Sequence, residues 1–111
     1  MKLTYLPLYT IACAFTTNAA TVEFYSDADC GNKVGDRDVW DNSCAAENPE
    51  FKSVKVTATG GWGQRLWTYS DEYGCPLSSQ TGCLTAESTG TCYNTWGTSR
   101  SIGSWWLPLS C

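Results

Sequence analysis

Short runs of alternating apolar and polar residues indicate where the strands of this chain lie. Residues 22–25, 54–58 and 105–109 alternate with a period of two, which is the period of a strand with one buried face. Residues 66–69 are β-prone but do not alternate cleanly. Turn-forming stretches such as DADCGN, SSQTG and STGT separate these runs, and no 11-residue window after residue 20 follows a helical period. The pattern predicts an all-β sandwich or barrel.

An internal repeat organises these strands into two units. The sequence VEFYSDADCG at residues 22–31 returns 44 residues later as LWTYSDEYGC at residues 66–75. The first unit covers about residues 21–59 and closes at FKSVKV, residues 51–56, whereas the second covers residues 64–111 and closes at SIGSWW, residues 101–106. Each unit is long enough for four short strands, so we expect two Greek-key units. Neither unit could bury its apolar face alone, so the two should pack together into a sandwich.

The N-terminus has the organisation of a secretory signal peptide. Lys2 precedes an uncharged, mostly apolar stretch at residues 3–15, and small residues follow up to Ala20. We expect a signal peptide over residues 1–19, with cleavage after Ala19 or Ala20, although a buried N-terminal helix is the alternative. A single domain of about 91 residues, 20–111, then remains outside the cell, with no second apolar segment to anchor it in a membrane.

Cysteine content and charge narrow the class of protein further. Cys13 would leave with the signal peptide, and an even number of cysteines in a small secreted domain indicates three disulfides. Spacing and the absence of histidine argue against a zinc site. Fifteen connectivities are compatible with six cysteines. Without Lys2, six basic side chains face eleven acidic ones, and a net charge of −5 disfavours nucleic acid and anionic membranes as partners. The six cysteines are Cys30, Cys44, Cys75, Cys83, Cys92 and Cys111.

The repeated motifs resemble the Greek-key signature of the βγ-crystallin superfamily. FYSDADCG at residues 24–31, followed by FKSVKV at residues 51–56, has the paired aromatic start, the folded hairpin and the serine before the last strand. YSDEYG at residues 69–74 with SIGS at residues 101–104 is a looser second copy. The resemblance implies that Gly31 or Gly74 adopts a left-handed backbone in the hairpin. It also implies kinship with small, secreted, cysteine-bridged members, namely microbial killer toxins and fungal effectors, and hence a fungal origin.

Calcium is the first candidate ligand, because many microbial members of that superfamily bind it through an acidic or amide pair followed by serine or threonine. The corresponding stretches are NPEFKS at residues 48–53 and SRSIGS at residues 99–104. Pro49 and Phe51 replace two ligand positions of the first, and Arg100 stands where the second should carry an acid. The expectation is therefore that no cofactor or metal is bound, with a structural calcium-binding crystallin kept as an alternative.

The sequence lacks the histidine on which small secreted hydrolases usually depend for catalysis. Small secreted hydrolases rely on histidine as a proton carrier, and this chain has none. A pair of carboxylates could still cleave a glycoside, but no pair stands out from the sequence. We therefore expect a protein that is not an enzyme. The carboxylates considered for such a pair are Glu23, Asp27, Asp71, Glu72 and Glu87.

Tryptophan is the remaining candidate for recognition, because a flat indole suits a sugar ring or a partner protein. Trp62 lies in the glycine-rich linker TGGWGQ, where burial is difficult, and Trp96 lies in the turn-rich NTWGTS. Trp105 and Trp106 are neighbours on a strand and must face opposite ways. The predicted ligand-binding residues are Trp62, Trp105 and Trp106, and most of the other indoles are expected in the core.

Together these observations predict a secreted, monomeric, non-enzymatic domain that acts as an effector or toxin-like protein on an extracellular target. A polysaccharide-binding module that uses exposed tryptophans is the alternative. The expected partner is an extracellular protein or polysaccharide. Repeat symmetry further suggests pairing Cys30 with Cys44, Cys75 with Cys92, and Cys83 with Cys111.

Overall fold

The computed structural model describes residues 18–60 and 65–105, of which the side chains of residues 18, 19 and 105 are excluded. The strands are β1 (Asn18–Tyr25), β2 (Lys33–Trp40), β3 (Ser43–Thr59), β4 (Arg65–Tyr69), β5 (Gln80–Thr85) and β6 (Cys92–Trp105). Two short 3-10 turns, Ala28–Cys30 and Leu77–Ser79, are the helical elements of this part of the chain. Within the same residues, no helix has the length and apolar character that crossing a membrane would need. The all-β prediction is confirmed, and the predicted signal peptide lies mainly outside the described residues.

The strands form one antiparallel sheet in which the repeat is visible as topology. Their order is β2-β1-β3-β6-β4-β5. The first unit contributes β2-β1-β3 and the second contributes β5-β4-β6, so each unit places its first strand between its second and its third. The two units meet where β3 pairs with β6. Strands predicted at residues 22–25, 54–58 and 66–69 are present, whereas of residues 105–109 only the backbone of Trp105 is described.

The long strands β3 and β6 each run alongside both units. The start of β3 pairs with the end of β6, with Ser43 opposite Ser104, whereas further along β3 Lys55 lies opposite Cys92 at the start of β6. Register shifts around Phe51 separate the two stretches of pairing. Each third strand therefore begins in the hydrogen-bonded ladder of the other unit and ends in its own. The hydrogen-bonded strands therefore form two groups of four. One contains β2, β1, the end of β3 and the start of β6, and the other contains the start of β3, the end of β6, β4 and β5.

One core of buried apolar side chains joins both groups. Phe24 and Phe51 meet at its centre, with ring centroids 4.6 Å apart and planes tilted by 50°. Alternation explains the burial, because residues two apart on a strand face the same side. Each fully buried large side chain contributes about 1.5–3 kcal/mol relative to exposure, so the core supplies much of the folding free energy. Its members are Ala20, Val22, Phe24, Val39, Phe51, Val54, Val56, Leu66, Leu84, Ala86 and Ile102.

A buried serine fastens the first hairpin of each unit to the third strand. The Ser53 hydroxyl donates to the carbonyl of Asp27 at 2.6 Å and accepts from the backbone N–H of Cys30 at 3.0 Å. Ser101 donates to the carbonyl of Asp71 at 2.7 Å, which makes it the counterpart of Ser53. Comparing residues 48–53 with residues 99–104 as calcium sites set Ser53 against Ser104, and that register is wrong by three residues. The register was ambiguous because residues 99, 101 and 104 are all serine, although Lys52-Ser53-Val54 matches Arg100-Ser101-Ile102 in residue type.

Left-handed backbone marks the tips of the same hairpins. Gly74 has a φ of +81°, as the resemblance implied. In the first unit Gly31 is right-handed, with a φ of −82°, and Asp29 and Cys30 take the positive φ values of 61° and 54° instead. The Asp29 conformation is held by a reciprocal pair of hydrogen bonds with Asn94: its N–H donates to the amide oxygen at 2.8 Å, and its carboxylate accepts from the amide nitrogen at 2.9 Å.

Disulfides connect the two units, which corrects the predicted pairing. Cys30 is bonded to Cys92, and Cys44 is bonded to Cys75. Cys30 and Cys75 are indeed equivalent hairpin positions, and Cys44 and Cys92 both lie at the start of third strands. Because each third strand begins beside the other unit, the bridges form between units and not within them. Cys83 is also disulfide-bonded, and its predicted pairing with Cys111 lies outside the described residues.

Candidate functional site

The three tryptophans predicted to bind a ligand lie mostly outside the described residues. Trp62 and Trp106 belong to the excluded segments 61–64 and 106–111. The backbone of Trp105 pairs with Arg65 at the end of β6, and its side chain is not described. A binding platform made by these three residues therefore stays a prediction.

Three other tryptophans have described positions, and they differ widely in exposure. Trp67 is buried, with 6% of its surface exposed, and it packs with Tyr69 and Cys75. Trp40, at the end of β2, is 44% exposed, whereas Trp96 on β6 is 74% exposed. An indole that leaves this much surface in water contributes little to folding. Trp96 is therefore the described tryptophan best placed to meet a ligand.

A groove lined mainly by polar residue types lies next to the strand segment that carries Trp96. The groove has a volume of about 350 Å³, which is at the small end of the range for pockets that bind small molecules. Thr98 lines it only two residues after Trp96, so the two Cα atoms are within about 7 Å of each other. The residues that line the groove are Ser26, Asn48, Pro49, Glu50, Lys52 and Thr98. We refer to this groove together with the Trp96 side chain as the Trp96 groove.

Side-chain hydroxyls fix the backbone around Trp96. The Gly97 carbonyl accepts from Thr95 at 2.6 Å and from Ser99 at 3.1 Å. Thr95 also lies 3.0 Å from the carbonyl of Lys52, a groove residue on β3. Thr95 has one proton, which it gives to the Gly97 carbonyl, so its hydroxyl fixes the segment of β6 that presents the indole, and its 3.0 Å approach to Lys52 brings that segment against the groove wall.

Ser99 belongs to a chain of buried hydroxyls within the second unit. Thr81 lies 2.6 Å from Ser99 and 2.9 Å from Thr68. A hydroxyl has one proton to donate, and Ser99 donates its proton to Gly97. Thr81 must then donate to Ser99, and Thr68 to Thr81, so one direction satisfies the whole chain. Gly82 leaves room for it, because a Cβ there would stand 2.7 Å from the Thr68 hydroxyl.

Charges of both signs are balanced at the groove. Glu50 forms an ion pair with Arg100 at 2.9 Å, and Lys52 lies exposed on the lining. Asp27 follows the lining residue Ser26, and its carboxylate accepts from the backbone N–H groups of Gly31 at 3.1 Å and Asn32 at 2.8 Å. The lining thus carries one negative and one positive side chain, although the whole protein is acidic.

The corrected register changes the calcium interpretation. With Ser101 as the counterpart of Ser53, residues 96–101 correspond to residues 48–53, so Trp96 takes the place of Asn48. Indole has no oxygen for a hard cation. Among residues 18–60 and 65–105, no group of three or more cysteine, aspartate or glutamate side chains is arranged to hold a metal ion.

Trp96 was not among the predicted binding residues, although its sequence context held a signal. NTWGTS places a large apolar side chain among small polar ones, which indicates a turn in which an indole cannot be buried easily. The groove itself could not be found from sequence, because it joins the hairpin of the first unit to the third strands of both units.

Comparisons with known proteins give no family, relative or structural neighbour for this chain. A scan of protein families, a search of curated proteins and a search of solved structures each returned no match.

Proposed function

We propose that this protein is a secreted domain of βγ-crystallin-like build that binds an extracellular target at the Trp96 groove, as a fungal effector or toxin-like protein, without catalysing a reaction. The observation that carries the proposal is the largely exposed indole of Trp96, held on a hydrogen-bonded segment of β6 beside the groove.

The strand arrangement supports the superfamily part of the proposal. Each four-stranded group contains the first strand, the second strand and the end of the third strand of one unit, together with the beginning of the other unit's third strand. A duplicated Greek-key sandwich would have this pattern, because its long third strands cross from one sheet to the other. The two buried serines, Ser53 and Ser101, occupy equivalent places below the hairpins, as expected for a duplicated motif.

The disulfides support the extracellular part of the proposal. Bridges of this kind persist in oxidising compartments and are rare in the cytosol. Two bridges between the units, Cys30–Cys92 and Cys44–Cys75, would hold the domain together outside the cell, where a chain this small has a limited core. The chain contains no histidine, which favours binding over acid–base catalysis.

Binding to intact cells tests the proposal. Fluorescently labelled protein is incubated with fungal and plant cells, and the bound fraction is compared with that of Trp96→Ala and Trp40→Ala. Trp40 is the matched control, because it is also exposed but lies at the end of β2. We expect Trp96→Ala to reduce binding by about tenfold and Trp40→Ala to leave it unchanged. Equal loss in both variants, or no binding by the unaltered protein, would overturn the proposed role of the groove.

A further inference from the structure

We infer that the ligand of the Trp96 groove is a neutral polysaccharide chain, with one sugar ring stacked on the Trp96 indole and the neighbouring sugar hydroxyls bonded in the groove. This inference rests on the proposed function and names the chemical class of its target. It places the stacking position at Trp96, away from the three tryptophans that the sequence favoured.

The groove lining has the chemistry that sugar hydroxyls require. Apart from Pro49, every lining side chain carries a hydrogen-bonding group. Asn48 can both donate and accept, Lys52 donates, and Glu50 accepts. A sugar hydroxyl also donates and accepts, so a mixed set of this kind can satisfy several hydroxyls at once, whereas a purely apolar ligand would leave these groups without partners.

Charge balance favours a neutral ligand over an anionic one. Glu50 and Lys52 give the lining one charge of each sign, and Glu50 is also paired with Arg100. An acidic polysaccharide would in addition approach a protein of net negative charge, which slows association at low salt. Among the residues that the structure describes, Lys52 is the one cationic side chain on the lining, whereas recognition of carboxylate or phosphate uses a cluster of cationic groups.

The surroundings of Trp96 favour a sugar over a protein partner. Within residues 94–100, whose sequence is NTWGTSR, Trp96 is the one large apolar side chain. The centre of a protein–protein interface is usually a cluster of apolar and aromatic side chains. A single exposed flat ring, with polar residues as its neighbours along the chain, is instead suited to the apolar face of one sugar ring.

The chain of buried hydroxyls next to this segment of β6 explains how the indole is kept ready for binding. Ser99 and Thr95 fix the Gly97 carbonyl, and Ser99 is fixed in turn by Thr81 and Thr68. Binding to a group that is already ordered costs less conformational entropy. Ser99 is therefore a positioning residue for Trp96, since its own side chain is fully buried.

The test uses purified polysaccharides and the full mature chain. Insoluble chitin and β-1,3-glucan are the neutral probes, polygalacturonate is the anionic probe, and the protein left in the supernatant is measured. Soluble oligomers of the same sugars then give dissociation constants from tryptophan fluorescence. We expect at least one neutral probe to bind, Trp96→Ala to weaken that binding about tenfold or more, and Trp96→Phe to retain part of it. Trp40→Ala serves as the control and should bind within about twofold of the unaltered protein.

The salt dependence of binding distinguishes a neutral ligand from an anionic one, and the melting temperatures of the variants distinguish a local loss of binding from unfolding. Binding to a neutral chain should change little between low and physiological salt, whereas binding to polygalacturonate that falls steeply with salt would overturn the inference in favour of an anionic ligand. Equal melting temperatures for the unaltered protein and Trp96→Ala would show that any loss of binding is local. If Trp96-dependent binding to cells is seen but no purified neutral polysaccharide binds, the sugar assignment is wrong and the proposed function stands. If binding to cells is also independent of Trp96, both fail.

Discussion

The outer faces of the two units differ although their scaffolds match. In the first unit the Tyr25 hydroxyl donates to Glu23 at 2.6 Å, and Lys33 forms ion pairs at 3.1 Å with Glu23 and Asp36. In the second unit the positions 44 residues later are Trp67 and Tyr69, which are buried with Cys75 and the neighbouring Cys83. The same strand order therefore supports a charged outer layer in one unit and an apolar one in the other. A duplicated fold fixes the core-facing residues and leaves the outward positions free to diverge.

The bends in the third strands show the same divergence at the candidate site. Residues 48–50 of the first unit are Asn-Pro-Glu, and their counterparts, residues 96–98, are Trp-Gly-Thr. Both bends contribute to the Trp96 groove. The first bend supplies most of the polar lining, and the second supplies the exposed indole. The groove thus depends on two copies of one element that have become different.

The outer-face difference can be tested by truncating the two equivalent residues. Trp67→Ala should lower the free energy of unfolding by about 3–5 kcal/mol, because it leaves a cavity in a packed cluster. Glu23→Ala should change it by no more than about 1 kcal/mol, because partly exposed ion pairs contribute little. Urea denaturation of both variants measures the difference. Losses of the same size would show that the apolar outer layer is not a stabilising part of the second unit.

The sequence predicted the strands well because alternation reflects burial on a single strand. Residues 22–25 and 54–58 lie in β1 and β3, as expected. The cysteine pairing was wrong because a repeat shows which positions are equivalent but does not show which unit a strand pairs with. Cys30 paired with Cys44 and Cys30 paired with Cys92 are equally compatible with the repeat. Only the path of β3 and β6 across both units separates the two possibilities.

The two disulfides between the units provide a second test of whether the two units are equivalent. Peptide mapping under non-reducing conditions should recover Cys30 linked to Cys92 and Cys44 linked to Cys75. Replacing either pair by serine should lower the free energy of unfolding by about 2–4 kcal/mol. The first bridge spans 62 residues and the second spans 31. Because the cross-link of the longer loop removes more entropy from the unfolded chain, loss of the first bridge should lower the free energy of unfolding by about 0.6 kcal/mol more than loss of the second.

The control for the disulfide experiment is the pair of single variants Cys30→Ser and Cys75→Ser, which remove equivalent hairpin cysteines. Both should free one thiol and destabilise the protein to a similar extent. Recovery of peptides that link Cys30 to Cys44 would show a bridge within the first unit and would contradict the two bridges between units.

The smallest expected effect concerns the carboxyl of Glu23, which has no counterpart in the second unit. The hydrogen bond from the Tyr25 hydroxyl, and then the neighbouring Lys33, hold the pKa of Glu23 below its ordinary value of 4.5. A lowered pKa in the folded protein means that this carboxylate stabilises the fold above the pKa of the unfolded chain. That contribution is lost as the pH falls through the folded value. Tyr25→Phe should therefore raise the pKa of Glu23 towards 4.5, as measured by NMR titration of its side-chain carbon. Tyr69→Phe, at the equivalent position of the second unit, is the matched control and should leave that titration unchanged. If Tyr25→Phe also left it unchanged, Lys33 would be the main cause, and the charged outer layer of the first unit would depend on its ion pairs.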